Sequence, residues 1–325
     1  MASHLNQPHF QNADKAREFL ERERWPNGPI CPHCGVIDQH YELKGKAHRV
    51  GLWKCKDCLK QFSVTVGTVF ERSKIPLNIW LQAVFLLCSS KKGMSSHQLH
   101  RMLGVTYKTA WFMTHRIREA MTTDSGGLLG GGGGPVEVDE TYWGTSAVGK
   151  RNKTVKRRIP GTIEKMKIVS LVERGGEVRS FTVARITKAN IYPLLRQNIA
   201  PEAHLMTDEA QTYVTIGREF KKHSSVNHGE KEYVRGKAHV NTLESFFNIF
   251  KRGLIGTFHH VGEQHLQRYV KEFDFRYNNR TALGVTDEQR TKNALKAIAG
   301  KRLTYRRTLG EQTAPRFKPQ AARAD

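Results

Sequence analysis

Three acidic residues in the second half of this chain have the chemistry and placement of a metal site. Asp139 lies in the apolar run 136–140 and Asp208 ends the apolar run 205–208. Glu244 lies on a predicted helix, with residues 209–243 between it and Asp208. Carboxylate oxygens are the ligands that Mg²⁺ and Mn²⁺ prefer, and two such ions can clamp the attacking and leaving oxygens of a phosphodiester. The three acids therefore predict metal-dependent phosphodiester chemistry.

Each acid taken alone also has a simpler interpretation. An Asp at the end of a strand is commonly a turn or cap residue. Glu140 and Glu209 follow the two aspartates directly. Successive side chains of a strand point to opposite faces, so these two glutamates are expected to be simply exposed.

The predicted helix at 241–254 supports the metal interpretation. Its apolar residues recur at helical spacing and form one stripe: Leu243, Phe246, Phe247, Phe250 and Leu254. At 100° per residue, Glu244, Asn248 and Lys251 share a different face. Lys251 is then placed to contact a substrate phosphate. The alternative is an ordinary solvated face of Glu and Lys side chains.

The charge of the chain indicates a polyanionic partner. Lys and Arg number 53 against 30 Asp and Glu, a net charge of +23, and an excess of this size favours double-stranded DNA. The sequence contains no run of about 18 apolar residues, so no membrane span is predicted. The first residues also lack the features of a secretory signal. We expect a cytoplasmic, nucleoid-associated protein without a membrane partner.

Four of the five cysteines form two CxxC pairs. The pairs are Cys31 with Cys34 and Cys55 with Cys58, and residues 35–54 separate them. Four thiolates at this spacing predict a closed, structural Zn²⁺ site in a small ribbon. The alternative is a pair of redox dithiols. Cys88 lies in an apolar helical context and is expected to be a core residue.

A helix-turn-helix is predicted between residues 76 and 121. Pro76 opens one helix, Ser95 can cap a second, and Thr106 can cap a third after the break at Gly104. The third helix would then enter the major groove. The alternative is an ordinary three-helix bundle.

One side of this third helix is apolar and is expected to pack inward. The polar residues are expected to point outward: Tyr107, Lys108, Thr109, His115, Arg116 and Arg118. We expect Lys108 and Arg116 to contact DNA.

Composition shifts divide the chain into six segments. Glycine-rich residues after position 125 predict a flexible linker and the main domain boundary, and strands followed by alternating helices indicate a mixed α/β layer beyond it. The segments are a helical segment (1–27), the zinc ribbon (28–72), the helix-turn-helix region (73–124), the linker (125–135), the α/β catalytic domain (136–285) and a basic C-terminal tail (286–325), which is expected to be mobile from Lys301.

Several segments carry a family resemblance. They are residues 136–144, 207–209, 239–253, 256–261 and 272–280, together with the two cysteine pairs. With these segments the chain resembles the prokaryotic insertion-sequence DDE transposases that join an N-terminal zinc ribbon to a ribonuclease-H-like catalytic domain.

The resemblance implies a multidomain α/β protein whose catalytic domain has a central mixed sheet. Asp139 would lie on the first strand and Asp208 on the fourth, with Glu244 on the helix that completes the site. Members of the family vary at the third acidic position, so Asn248 is the competing third ligand. Lys251 matches the basic residue that follows the third acid in many such enzymes.

Basic residues near these acids are further predicted DNA contacts. They are Lys150, Arg151, Lys156, Arg157 and Arg158 between the first two strands, and Lys251 with Arg252 on the helix.

The resulting expectation is a transposase. It would bind the inverted ends of its element, cleave them with Mg²⁺-activated water and join the 3′-hydroxyls to target DNA, acting as a dimer or larger assembly. Two alternatives stay open: a DNA-binding regulator without catalysis, and a metal-dependent nuclease without strand transfer.

Overall fold

The computed structural model describes residues 4–122, 126–144, 165–208, 210–226 and 239–304. The chain forms two compact units, one of Met1–Thr123 with Asn279–Leu303 and one of Asp124–Asn278 with Thr304–Asp325. The multidomain α/β class expected from the sequence is confirmed. The predicted helical, ribbon and helix-turn-helix segments belong to one compact unit rather than to three.

The first unit begins with two short helices and a small antiparallel sheet. The helices are α1 (Pro8–Gln11) and α2 (Ala13–Arg24), and the sheet runs in the order β1 (His40–Glu42), β2 (Trp53–Cys55), β3 (Gln61–Phe62). Asn12 caps α2, because its side chain accepts from the N–H groups of Asp14 and Lys15. The helical segment predicted at 1–27 therefore contains these two helices.

Three further helices match the predicted helix-turn-helix: α3 (Leu77–Ser89), α4 (Ser96–Leu103) and α5 (Tyr107–Ala120). The Ser95 hydroxyl caps α4 by accepting from the Gln98 N–H at 3.1 Å, and the Thr106 hydroxyl caps α5. Gly104 has a left-handed φ of 65° at the break, where glycine carries no steric penalty. The predicted boundaries and caps are confirmed.

The predicted outward face of α5 is wrong in its second half. All five residues from Thr114 to Arg118 are buried. Arg116 donates 2.6 Å to the Glu71 carbonyl, and Arg118 donates 3.1 Å to the Thr114 hydroxyl. Other parts of the first unit surround this stretch of α5, so its cationic side chains satisfy backbone and hydroxyl oxygens instead of reaching solvent.

The segment expected to be a tail from position 286 also folds. Residues Asp287–Lys296 form α10, capped by the Thr286 hydroxyl, and belong to the first unit. Arg290 on this helix is buried and donates to the carbonyls of Cys88 and Asn279 at 3.1 and 2.9 Å. The boundary at 286 was wrong, because these apolar and hydrogen-bonded contacts hold the segment in place. Residues 305–325 lie outside the described residues.

The glycine tract is not a free linker where the structure describes it. Leu129 is buried in the core of the second unit and exchanges backbone hydrogen bonds with Asn198 and Ala200. Gly130 has a φ of 73°, and a Cβ there would lie 2.6 Å from the Ala203 side chain and 2.7 Å from that of Val136. Glycine is thus required by close packing at this point rather than by flexibility.

The second unit is built on a mixed five-stranded sheet in the order β6-β5-β4-β7-β8. The strands are β4 (Pro135–Trp143), β5 (Met166–Glu173), β6 (Val178–Val183), β7 (His204–Asp208) and β8 (Lys222–Val226). β4, β5 and β6 pair antiparallel, and β7 pairs parallel with β4 and β8. The mixed sheet implied by the resemblance is present, and β8 is a strand that the sequence analysis did not predict.

Helices cover both faces of this sheet. On one face α6 (Lys188–Asn198) and α7 (Gln211–Gly217) pack over Val136, Val138 and Leu171. On the other face α8 (Asn241–Gly253), a π-helical turn (Leu254–Phe258) and α9 (Glu263–Asn278) pack over Ile168 and Val172. Alternation along β4 therefore sends its even-numbered residues to the first face and its odd-numbered residues to the second.

Side chains of α9 occupy the outer edge of β6. Asn278 accepts from the Val178 N–H, Asp274 from the Ser180 N–H, and Gln267 from the Thr182 N–H. Asn278 and Gln267 also donate to backbone carbonyls of the strand. These bonds fix α9 against the sheet and leave little of this edge open to another strand.

Candidate active site

The two aspartates lie on neighbouring parallel strands. The register pairs Val136 with Leu205 and Glu137 with Met206. The paired residues end there, two residues before Asp139 on β4 and two before Asp208, the last residue of β7. Paired strands lie about 4.8 Å apart, and both side chains project to the face that α8 covers. Asp139 is on the first strand of the sheet and Asp208 on the fourth, as the resemblance implied.

Helix α8 brings Glu244 to the same face. Its predicted apolar stripe is buried throughout, with Leu243, Phe246, Phe247 and Phe250 packed on the sheet and α9. Glu244 lies in the first turn of the helix and is half-buried. Its negative charge contributes to raising the pKa of Asp139. The sheet and α8 thus gather the three predicted acids.

The electrostatics of Asp139 reflect this gathering. Burial raises the pKa of its carboxyl to about 7, against a hydrogen bond of 2.7 Å that the Glu140 N–H donates. The negative charges of Asp208 and Glu244 add to the rise. Clustered carboxylates disfavour one another's ionisation, and a divalent cation among them would reverse that effect. The carboxylate oxygens of these residues are the type of ligand that Mg²⁺ and Mn²⁺ bind.

The acidic site is wider than a closed metal site. Among the residues that the structure describes, the four cysteines are the one group of three or more whose ligand atoms all lie within 4.8 Å of one another. Asp139, Asp208 and Glu244 do not meet that limit as a set. Ligand oxygens of one Mg²⁺ lie within about 4.2 Å of one another, because Mg–O bonds are about 2.1 Å long, so the three carboxylates as placed do not share a single ion.

Glu140 has a role that the sequence analysis missed. It is half-buried, and its carboxylate accepts a 2.7 Å hydrogen bond from the buried Tyr213 hydroxyl. Burial raises the pKa of Glu140, and the Tyr213 hydrogen bond lowers it. The expectation that Glu140 is simply exposed is wrong, because α7 covers the face to which it points. Glu209 lies outside the described residues.

Glu137 is a second residue that was missed. Its side chain is fully buried on the same face as Asp139 and accepts hydrogen bonds from Thr242 and Leu243 at the start of α8. A charged residue inside an apolar run, two positions before a predicted ligand, was the available signal, because side chains two apart on a strand share a face.

The remaining predicted residues of α8 lie farther along the helix. Asn248 and Arg252 are exposed, and Lys251 is half-buried. Helical spacing places Asn248 and Lys251 one and two turns beyond Glu244. Asn248 is therefore more open to solvent than Glu244, and Lys251 lies on the side of the helix that carries the acid.

The four cysteines form the predicted metal centre. Cys31 Sγ lies 3.7 Å from Cys58 Sγ, and Cys34 Sγ lies 3.6 Å from Cys55 Sγ. Tetrahedral Zn–S bonds of about 2.3 Å require S···S distances of about 3.8 Å, so the cluster fits Zn²⁺. Burial raises the pKa of Cys31, but N–H groups of His33 and Cys34 and the neighbouring thiols outweigh it and lower the value to about 7. The pKa of Cys34 moves the other way: a hydrogen bond from the Val36 N–H lowers it, but burial and the neighbouring thiols outweigh that bond and raise the value to about 12.

Two other predictions also concern the first unit. Cys88 is buried, as expected. Lys108 is exposed in the first turn of α5, whereas the buried Arg116 is bonded to a backbone carbonyl and is no longer a candidate for DNA contact.

The cationic loop predicted beside the acids lies outside the described residues. Its basic residues are Lys150, Arg151, Lys156, Arg157 and Arg158.

None of the helices in the described ranges combines the length and apolar character that crossing a bilayer requires.

Comparison with known proteins assigns both parts of the chain. Residues 131–278 match the model of the ISXO2-like transposase domain, and residues 11–61 match that of the transposase zinc-ribbon domain. An uncharacterized protein in the transposable element ISH50 of Halobacterium salinarum is 30% identical over 279 residues, covering 82% of this chain and 91% of the relative. A transposase-like protein of Haemophilus influenzae is 25% identical over 103 residues, which cover 32% of this chain and 82% of that protein.

Proposed function

Because this chain belongs to the ISXO2-like transposase family, we propose that it cuts the ends of its own insertion element and joins them to target DNA. Asp139, Asp208 and Glu244 hold the catalytic Mg²⁺ or Mn²⁺ ions. The proposal is supported by the parallel pairing of β4 and β7, the strands that carry Asp139 and Asp208, and by the negative charges of Asp208 and Glu244, which add to the raised pKa of Asp139.

Bound to these acids, the ions would supply Lewis-acid chemistry and an activated water. In cleavage, the water oxygen forms a bond to phosphorus while the bond between phosphorus and the 3′ oxygen of the element end breaks. The products are a 3′-hydroxyl on the element and a 5′-phosphate on the flanking strand. Joining then forms a new bond from that hydroxyl to a target phosphorus and releases a target 3′-hydroxyl. Lys251 contacts a nonbridging phosphate oxygen from the side of α8 that carries Glu244.

DNA recognition is assigned to the first unit. The zinc ribbon and the helix-turn-helix bind the inverted ends, and Lys108 contacts the backbone from the exposed start of α5. Arg252 is exposed at the end of α8 and is a further backbone contact. The cationic residues at 150, 151 and 156–158 are proposed to hold DNA near the scissile phosphate. The two element ends must be brought close together before they are joined to target DNA, so the active form is a dimer or larger assembly.

The test is an assay of the purified chain on labelled element ends with Mg²⁺, read for nicking and for joining to a plasmid. The wild type is expected to do both. Asp139→Asn and Asp208→Asn are expected to bind the ends and do neither. The matched control is Glu202→Gln, an exposed acid outside the site. Unchanged cleavage in either Asp variant would overturn the metal assignment.

The same assay separates the two alternatives. A wild-type chain that binds the ends but never cuts them, with Mg²⁺ or Mn²⁺ present, is a regulator. One that cuts but never joins pre-cleaved ends to the plasmid is a nuclease.

A further inference from the structure

The start of helix α8 has no cap of its own. Val240 occupies the cap position and its apolar side chain accepts no hydrogen bond. The first N–H groups of a helix have no partner within the helix, and an adjacent polar side chain normally satisfies them. A helix end that is buried against a sheet needs such a partner from elsewhere.

Glu137 on strand β4 supplies that partner. Its carboxylate accepts from the Thr242 N–H at 3.0 Å, the Leu243 N–H at 3.2 Å and the Thr242 hydroxyl at 2.8 Å. The side chain is fully buried. A carboxylate in this place also interacts favourably with the positive end of the helix dipole. One strand residue thus caps the helix that carries Glu244.

Arg174 completes the arrangement. Its Nε donates to the Glu137 carboxylate at 2.6 Å, and its terminal nitrogen donates to the His239 carbonyl at 2.8 Å. A buried carboxylate is tolerated only when it is paired and hydrogen-bonded. The pair therefore ties the chain on both sides of the helix start to the strand.

The spacing along each element connects this contact to the acids. Glu137 and Asp139 are two apart on one strand and share a face. Thr242 and Glu244 are two apart in the first turn of one helix. The contact between Glu137 and Thr242 therefore lies two residues from a proposed metal ligand on each side.

We propose that Glu137 is a positioning residue, which sets the separation of Glu244 from Asp139 and Asp208 by capping α8 from the strand. The inference rests on the proposed function. Glu137 touches neither substrate nor ion in this assignment, and its effect passes through the helix start.

The test compares Glu137→Gln with wild type in two measurements. The first is Mn²⁺ binding to the zinc-loaded chain. We expect an apparent Kd raised by about tenfold or more, the range found when partners of metal ligands are removed. The second is amide hydrogen exchange without Mg²⁺ or Mn²⁺, in which peptides spanning 239–247 should exchange faster. DNA-end binding should stay at the wild-type level.

Glu272→Gln is the matched control. Glu272 is also fully buried and paired with an arginine, Arg276, but lies on α9, which packs along β6. The Glu272→Gln variant should be less stable than wild type but should bind Mn²⁺ as tightly. Equal weakening in both variants would show that Glu137 acts only through general stability, and would overturn the inference.

A second pair covers the case in which Glu137→Gln does not fold. Thr242→Val removes the hydroxyl that donates to Glu137, and Thr242→Ser restores it. We expect weaker Mn²⁺ binding in the valine variant and recovery in the serine variant; equal binding in both would overturn the inference. A wild-type chain that neither binds Mn²⁺ nor cuts would overturn the proposed function, whereas normal binding and cutting in Glu137→Gln would overturn this inference alone.

Discussion

Tyr213 on helix α7 donates a 2.7 Å hydrogen bond to the carboxylate of Glu140 on strand β4. Asp139, the preceding residue, points to the opposite face of the sheet. Burial raises the pKa of both carboxyls. Two consecutive acids are therefore held in different surroundings, one bonded within the core and the other facing two further acids.

Removing the Tyr213 hydroxyl is expected to destabilise the second unit. Tyr213→Phe leaves the half-buried Glu140 carboxylate without this donor, at a cost of about 1–3 kcal/mol. The control is Tyr192→Phe, since the Tyr192 hydroxyl also bonds a carboxylate, that of Glu219, but at an exposed site. That change should stay within about 0.5 kcal/mol. Urea denaturation measures both, and equal losses would contradict the role given to Tyr213.

Without Mg²⁺, the contribution of Asp139 to the free energy of unfolding should fall as pH rises. The folded-state pKa of Asp139, about 7, lies above the ordinary value of 3.8 for an aspartate. Between these two pH values, the Asp139 carboxyl keeps its proton in the folded state but not in the unfolded state. The free energy of unfolding therefore decreases as pH rises, and this loss is complete above about pH 7. Asp139→Asn removes it, so this variant should be more stable than wild type at pH 8, by up to about 4 kcal/mol.

Denaturation at pH 5 and pH 8, in buffer that keeps zinc bound, measures that difference. The gain from Asp139→Asn should be larger at pH 8, and Glu202→Gln should show little change at either pH. A gain that is the same at both values would mean that Asp139 does not titrate in this range.

Glu244 and Asn248 can be separated as the third ligand. Glu244 is half-buried and acts electrostatically on Asp139, whereas Asn248 is exposed one turn later. Glu244→Gln should lower Mg²⁺-dependent end cleavage by about 100-fold or more, because a charged ligand is lost. Asn248→Ala should lower it by less than about tenfold. The opposite order in single-turnover rates would assign the position to Asn248.

Zinc content should depend on four cysteines and not on the fifth. Cys55→Ser removes a buried sulfur of the cluster and should reduce the bound zinc from about one ion per chain to little or none. Cys88→Ser changes a buried cysteine of α3 and should leave the zinc content unchanged. Metal analysis of the purified variants measures both. Zinc retained after Cys55→Ser would contradict the four-thiolate site.

Lys108 and Arg116 should behave differently although both lie on α5. Lys108→Ala should weaken end binding and reduce its salt dependence by about one phosphate contact, with the melting temperature unchanged. Arg116→Ala should cost about 2–3 kcal/mol, since the buried guanidinium bonds the Glu71 carbonyl and lies over the Trp80 ring. DNA titrations and thermal melts compare the two variants. If Arg116→Ala were as stable as wild type but bound DNA ends weakly, Arg116 would be a DNA contact after all.

Patterns among residues that are close in the sequence were enough to predict the helix ends of the first unit, the buried face of α8 and the cysteine cluster. The caps at Ser95 and Thr106, the glycine at 104 and the apolar stripe of α8 each depend on neighbouring residues in the chain. The CxxC spacing likewise brings ligands together over a short distance. The helix predicted at 241–254 matches α8 for the same reason.

Burial of polar residues was not predictable in this way. Arg116, Arg118 and Arg290 are buried although arginine is usually found at the surface. Arg116 and Arg290 donate to carbonyl groups that distant segments supply. The glycine tract and the helix after 286 were assigned wrongly for a related reason. Their order comes from packing against the rest of each unit, which local composition does not encode.

The amino-acid types by themselves determined which acids could hold a metal, because carboxylates at strand ends and on an amphipathic helix can be recognised from the order of residues in the sequence. Tertiary structure alone decided how those acids are held. The residues that join β4 to α8, Glu137 and Thr242, are 105 positions apart. Only the pairing of β4 with its neighbours and the packing of α8 on that sheet bring this carboxylate to the uncapped helix end.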